Sequence, residues 1–100
     1  MLSETKILES LTVVKDPELG LDVGALGLIY KVRILETKVK ILMTLTFPGC
    51  PWGPELVEKV KKAVGKVSEG REVDVKVTFD PPWDLKMMSS ESKLFLGISN

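Results

Sequence analysis

Ile7, Leu8, Leu11 and Val14 recur at helical spacing after Ser3, a residue suited to cap a helix, so the pattern predicts an amphipathic helix over residues 4–15. Asp16-Pro17 ends it, because the residue before a proline is driven out of the helical region, and Gly20 permits a tight turn. The stretch LIYKVRIL then alternates, with Leu28, Tyr30, Val32 and Ile34 on one face. A short polar turn, ETK, separates it from VKILMTLT, in which Val39, Ile41, Met43 and Leu45 share a face. The two segments are expected to form a hairpin.

After TFPGCPWGP, residues 46–54, the helical period returns. Leu56, Val57, Val60, Ala63, Val64 and Val67 form an apolar stripe, with Glu58, Lys59, Lys61 and Lys62 opposite. Pro51 or Pro54 marks the first turn of this helix, where a missing amide costs no hydrogen bond. SEGRE is a polar connection, and Val73, Val75, Val77 and Phe79 alternate with Asp74, Lys76 and Thr78 as a third strand. The prolines of DPPW, residues 80–83, cannot continue a ladder. The tail DLKMMSSESKLFLGI is expected to form short helical turns, with Ser89 or Ser90 as cap and Gly97 as stop.

The order α-β-β-α-β plus a short C-terminal helical segment defines the α+β class: a two-layer α/β domain with a small three-stranded mixed sheet, residues 1–100 forming one domain. The strand-helix-strand crossover should be right-handed and makes the second and third strands parallel, either adjacent or with the first strand between them. Both orders satisfy the pattern.

Composition narrows the chemistry. Fourteen Lys plus Arg balance fourteen Asp plus Glu, so no overall field draws in nucleic acid or anionic lipid. No run approaches the ~18 apolar residues of a membrane span, and MLSETKILES lacks the apolar stretch of a signal peptide, which points to a cytoplasmic protein. The absence of histidine removes Ser-His-Asp and Cys-His catalysis, together with the commonest zinc ligand. Glutamine is also absent and Asn100 is the sole asparagine, a depletion of thermolabile amides that goes with thermophile proteins.

Cys50 is the only cysteine, so it forms no disulfide within the chain. It falls at the end of the second strand, just before the main helix. There the positive end of a helix dipole favours a thiolate, which makes Cys50 a candidate nucleophile or soft metal ligand. The alternative is a small buried hydrophobe beside Trp52. Asp16 and Glu18 in DPELG could present paired carboxylates for acid-base work or cation binding, or serve only the turn. Thr44 and Thr46 share the strand face opposite Met43 and Leu45 and lead into the Cys50 loop. In DPPW, Trp83 either pins the tail to the core or anchors a partner.

In this order and at this spacing, DPELG, LGLIY, MTLTFPGCP and DPPW followed by MMS and LGI closely resemble the SufT/PaaD-type domain family of iron-sulfur cluster assembly, which includes the eukaryotic cytosolic Fe-S targeting subunit. The resemblance spans about residues 5–98. It implies a two-layer α/β fold and a non-enzymatic role in maturing iron-sulfur proteins. Cys50 matches the signature cysteine, and Asp16, Glu18, Thr44 and Thr46 match the polar positions gathered around it. Phe47 departs from the many members that carry a second Thr before Pro-Gly-Cys-Pro, and the cysteine-bearing extension of the PaaD branch is absent.

The resemblance implies an accessory factor that helps assemble or deliver clusters, with Cys50 as exchangeable cluster ligand or partner contact. One thiolate without imidazole falls short of the four protein ligands a cluster normally takes. A transient iron-sulfur cluster is therefore expected, none being stably bound by one chain. A homodimer could join two Cys50 thiolates, or handover could supply outside ligands. Implied partners are iron-sulfur scaffold or carrier proteins and apoprotein clients, with no nucleic acid and no membrane. The alternative is an interaction adaptor that docks through Trp52 or Trp83. A thiol enzyme or redox sensor ranks last, there being no resolving cysteine.

Overall fold

Ser3 caps helix α1 (Glu4–Ser10) in a computed structural model that describes residues 2–17, 19–46, 49, 51–80 and 82–89. The Ser3 hydroxyl accepts from the Lys6 amide at 3.2 Å. The expected helix over 4–15 is shorter than its apolar pattern: after Ser10 it tightens into a 3₁₀ turn, Leu11–Val13, and Val14 is extended. A competing pairing is the cause. The Val23 amide donates to the Val14 carbonyl at 3.0 Å, the Asp16 amide donates to that of Leu21 at 2.9 Å, and Lys15 bridges Asp22 antiparallel. The chain is thus recruited into a small extended neck closed around DPELG.

Strands β1 (Ile29–Ile34) and β2 (Lys38–Met43) form the expected antiparallel hairpin, with Ile34 opposite Val39 and Val32 opposite Ile41. A bulge between Ile29 and Lys31 breaks the predicted alternation, so that Ile29 rather than Tyr30 lies opposite Met43. Helix α2 (Gly53–Gly65) follows with Pro54 in its first turn, and Leu56, Val60, Ala63 and Val64 are buried as the stripe requires. Strand β3 (Glu72–Val77) then pairs parallel with β2, Val39 with Val73 through Met43 with Val77. The sheet order is β1-β2-β3, which resolves the open choice in favour of adjacent parallel strands. Phe79, expected to extend the third strand's inner face, lies past its end and is exposed.

One sheet face carries Ile29, Val32 and Ile34 beside the buried Val39, Ile41 and Met43, all packed with Leu56, Val60 and Val64 of α2 and Ile7 and Leu11 from the N-terminal helical segment. Burial of such side chains contributes about 1.5–3 kcal/mol each against leaving them in water. The opposite face carries Lys31, Arg33, Lys40 and Lys76 with Asp74. A 3₁₀ turn, Leu85–Met87, is the helical segment described beyond β3, and Ser90 and Gly97 lie outside the described residues.

Candidate functional site

Parallel pairing sets the carboxyl ends of β2 and β3 side by side, and the chain between β2 and α2, residues 44–52, leaves from that edge. Its first residue is held from both sides. The Thr44 amide donates to the Leu28 carbonyl at 2.8 Å, and the Thr78 amide donates to the Met43 carbonyl at 2.8 Å. Alternation ends here, because Met43, Thr44 and Leu45 are all buried. Thr44 is fully enclosed, its hydroxyl directed at the Leu45 carbonyl at 3.4 Å, whereas Thr46 is half-buried.

The other end of the loop is held by Asp16, which is 2% exposed. Its Oδ1 accepts from the Leu19 amide at 3.0 Å, and its carbonyl accepts from the Gly20 amide at 2.8 Å, so side chain and backbone together shape DPELG. Its Oδ2 accepts from the Trp52 indole Nε1 at 3.4 Å. Trp52 caps α2, its carbonyl accepting from the Leu56 amide at 2.9 Å. An acidic turn is in this way tied to the helix start that closely follows Cys50.

Of the residues singled out from sequence, Asp16 and Trp52 meet, and Thr44 and Thr46 lie at the start of the same loop. Cys50, Glu18 and Phe47 lie outside the described residues. Trp83 is half-buried and its Nε1 donates to the Leu26 carbonyl at 2.6 Å, tying the segment after β3 to the loop before β1. Among the described residues, no three of Asp, Glu, His and Cys converge as a metal site.

Three residues of this setting have roles that the sequence reading did not give them. Gly27 has φ +75°, and a Cβ there would collide with the Met87 carbonyl. Tyr30 donates its hydroxyl to Met87 Sδ at 3.4 Å, and the Ser89 amide donates to the Ala25 carbonyl at 2.9 Å. The string LGLIY contains the first two, but only the tertiary approach of residues 87–89 gives them their role.

The fold and the loop together define a small α+β domain with a cysteine-bearing segment set at the carboxyl edge of a parallel strand pair. The family model described as "Iron-sulfur cluster assembly protein" matches residues 4–77, and the chain belongs to that family. It is 42% identical over 88 residues to the Fe-S protein maturation auxiliary factor SufT of Staphylococcus aureus (strain USA300), covering 87% of this chain and 100% of that protein. The Fe-S protein maturation auxiliary factor YitW of Bacillus subtilis (strain 168) is 43% identical over 93 residues, covering 92% of this chain and 91% of that one. The crystal structure of a domain of unknown function from Bacillus anthracis superposes with a TM-score of 0.89 at 42% identity, covering 96% of this chain and 92% of that one. The resemblance carried by the sequence motifs is confirmed.

Proposed function

We propose that this chain is a non-catalytic auxiliary factor in the maturation of iron-sulfur proteins, in which Cys50 is an exchangeable ligand or contact for a cluster in transit. Family membership supports the cellular role. The single observation that carries the site is the anchoring of both flanks of the Cys50 loop, by the Thr44 amide on one side and by the Asp16 to Trp52 contact on the other. A thiolate just ahead, in sequence, of the positive end of α2 is favoured by the helix dipole.

The cluster is cargo in this reading. A cluster takes four protein ligands, and a chain with one cysteine and no histidine leaves the remainder to a second copy, a donor or an acceptor. Weak, incomplete ligation suits a carrier, because the cargo has to leave. Donors and clients are accordingly other proteins of iron-sulfur assembly, and the setting is the cytoplasm. Among the described residues no helix is long and apolar enough to cross a membrane.

The test is anaerobic reconstitution with iron and sulfide, followed by absorption spectroscopy and transfer to an apoprotein acceptor, for the unaltered chain and Cys50→Ser. Loss of the charge-transfer bands and slowed transfer in Cys50→Ser is the expected result. Transfer equally fast without the thiol refutes the ligand role. Half-burial of Trp52 and Trp83 leaves part of each ring accessible, which favours adaptor docking as the second reading. That reading requires scaffold binding to survive Cys50→Ser and to fail in a folded Trp83→Phe variant.

A further inference from the structure

A groove of about 390 Å³ runs between the 3₁₀ turn after α1 and the second half of α2. Val14, Ala63 and Val67 supply apolar lining, Val13 stands at one wall, and Lys59, Lys62 and Lys66 stand at the other. Val13 is 75% exposed, twice the exposure of Leu8 or Phe79, the other exposed large hydrophobic residues among those described. The three lysines follow helical spacing and so share one side of α2. Lys59 is tied to Glu55 at 3.4 Å, while Lys62 and Lys66 make no ion pair among the described residues.

Interaction with the helix dipole accounts for lysines near the end of α2, at about 0.3–1 kcal/mol each. It gives no reason for a valine in water across from them. Apolar lining bordered by cations selects a ligand that is apolar along one stripe and anionic beside it. From Lys59 to Lys66 the helix rises about 10 Å, roughly two turns, which matches the i, i+3, i+4, i+7 anchors of a helix lying in a groove. A concave surface also suits a segment better than it suits the face of a lipid bilayer.

We propose that this groove docks an acidic amphipathic helix of a partner protein, at a surface separate from the Cys50 loop. The groove lies toward the C-terminal end of α2 and the loop enters its N-terminal end, so a partner can be held while the loop stays open. The inference is independent of any role for the thiol.

The probe is a synthetic peptide of about 15 residues with leucines at i, i+3, i+4 and i+7 and glutamates beside them, titrated to about 1 mM into the full chain while amide NMR resonances are followed. A control peptide carries lysine in place of every glutamate. Expected are shifts at residues 10–14 and 59–67 with the acidic peptide alone, and affinity lowered by about tenfold in Val13→Glu and in Lys62→Glu/Lys66→Glu. All three altered side chains are exposed, so the variants should fold as the parent does. No shift at those residues, equal response to the lysine peptide, shifts confined to the cationic sheet face, or a response to phosphatidylglycerol vesicles alone each overturns the proposal.

Discussion

Trp52 and Asp16 are separated by 36 positions, yet the indole Nε1 of one donates to Oδ2 of the other at 3.4 Å. The carboxylate is buried and also holds the Leu19 amide, so its removal takes an acceptor from both donors. Asp16→Ala is expected to lower stability by about 2–3 kcal/mol, measured by denaturant unfolding. Trp52→Phe retains the ring and loses one bond, so it should cost about 1 kcal/mol. A double-mutant cycle between the two should give a coupling of at least about 0.5 kcal/mol, and additivity would show that the contact contributes nothing.

The Trp83 indole makes a short bond, 2.6 Å, to the Leu26 carbonyl. Trp83→Phe should therefore destabilise by about 1 kcal/mol while leaving most of the packing in place. Hydrogen exchange of residues 25–30 should quicken in the variant. Unchanged exchange there would mean that the segment after β3 does not hold this loop.

Two glycines with nearly the same backbone angle offer a controlled comparison. Gly20 has φ +71° and, among the described residues, nothing within 4 Å of a Cβ, whereas Gly27 at φ +75° meets the Met87 backbone. Gly20→Ala bears only the left-handed strain, about 1–2 kcal/mol. Gly27→Ala adds displacement of backbone and is expected to cost at least about 2 kcal/mol more than Gly20→Ala by thermal or chemical unfolding. Equal losses would refute the close approach.

Arg71 links two turns: its Nε donates to the Leu35 carbonyl at 2.8 Å and its Nη1 to that of Ser68 at 3.2 Å. Lysine has a charge but no planar fork, so Arg71→Lys should lose about 1 kcal/mol and recover little over Arg71→Ala. Full recovery in the lysine variant would assign the effect to charge alone.

The main elements were legible because local pattern and tertiary need agree in them. The stripe from Leu56 to Val64 is helical by spacing and buried in fact, and Val73, Val75 and Val77 alternate as the sheet requires. The first helix was overextended because Val14 keeps helical spacing while its carbonyl is claimed by Val23, a partner that no local window contains. Tyr30 was misplaced for a related reason, since one extra residue shifts the phase of a strand and leaves its composition unchanged. Within the site, the turn chemistry of Asp16 was visible in DPELG, but its bond to Trp52 depends on how the elements pack. Thr44 looked like a residue of the outer strand face, yet the chain leaves the ladder at that point and takes the hydroxyl inside.

The bond from the Thr78 amide to the Met43 carbonyl joins segments on either side of the α2 crossover. The β1-β2 hairpin closes over a short turn and can form early, whereas β3 must return across the whole α2 crossover before it pairs. The Thr44 bond to Leu28 accordingly needs only local closure, whereas the Thr78 bond to Met43 needs the whole crossover. The Thr44 end of the segment is therefore held by the strand before it sooner than Thr78 reaches Met43 from the strand after the crossover.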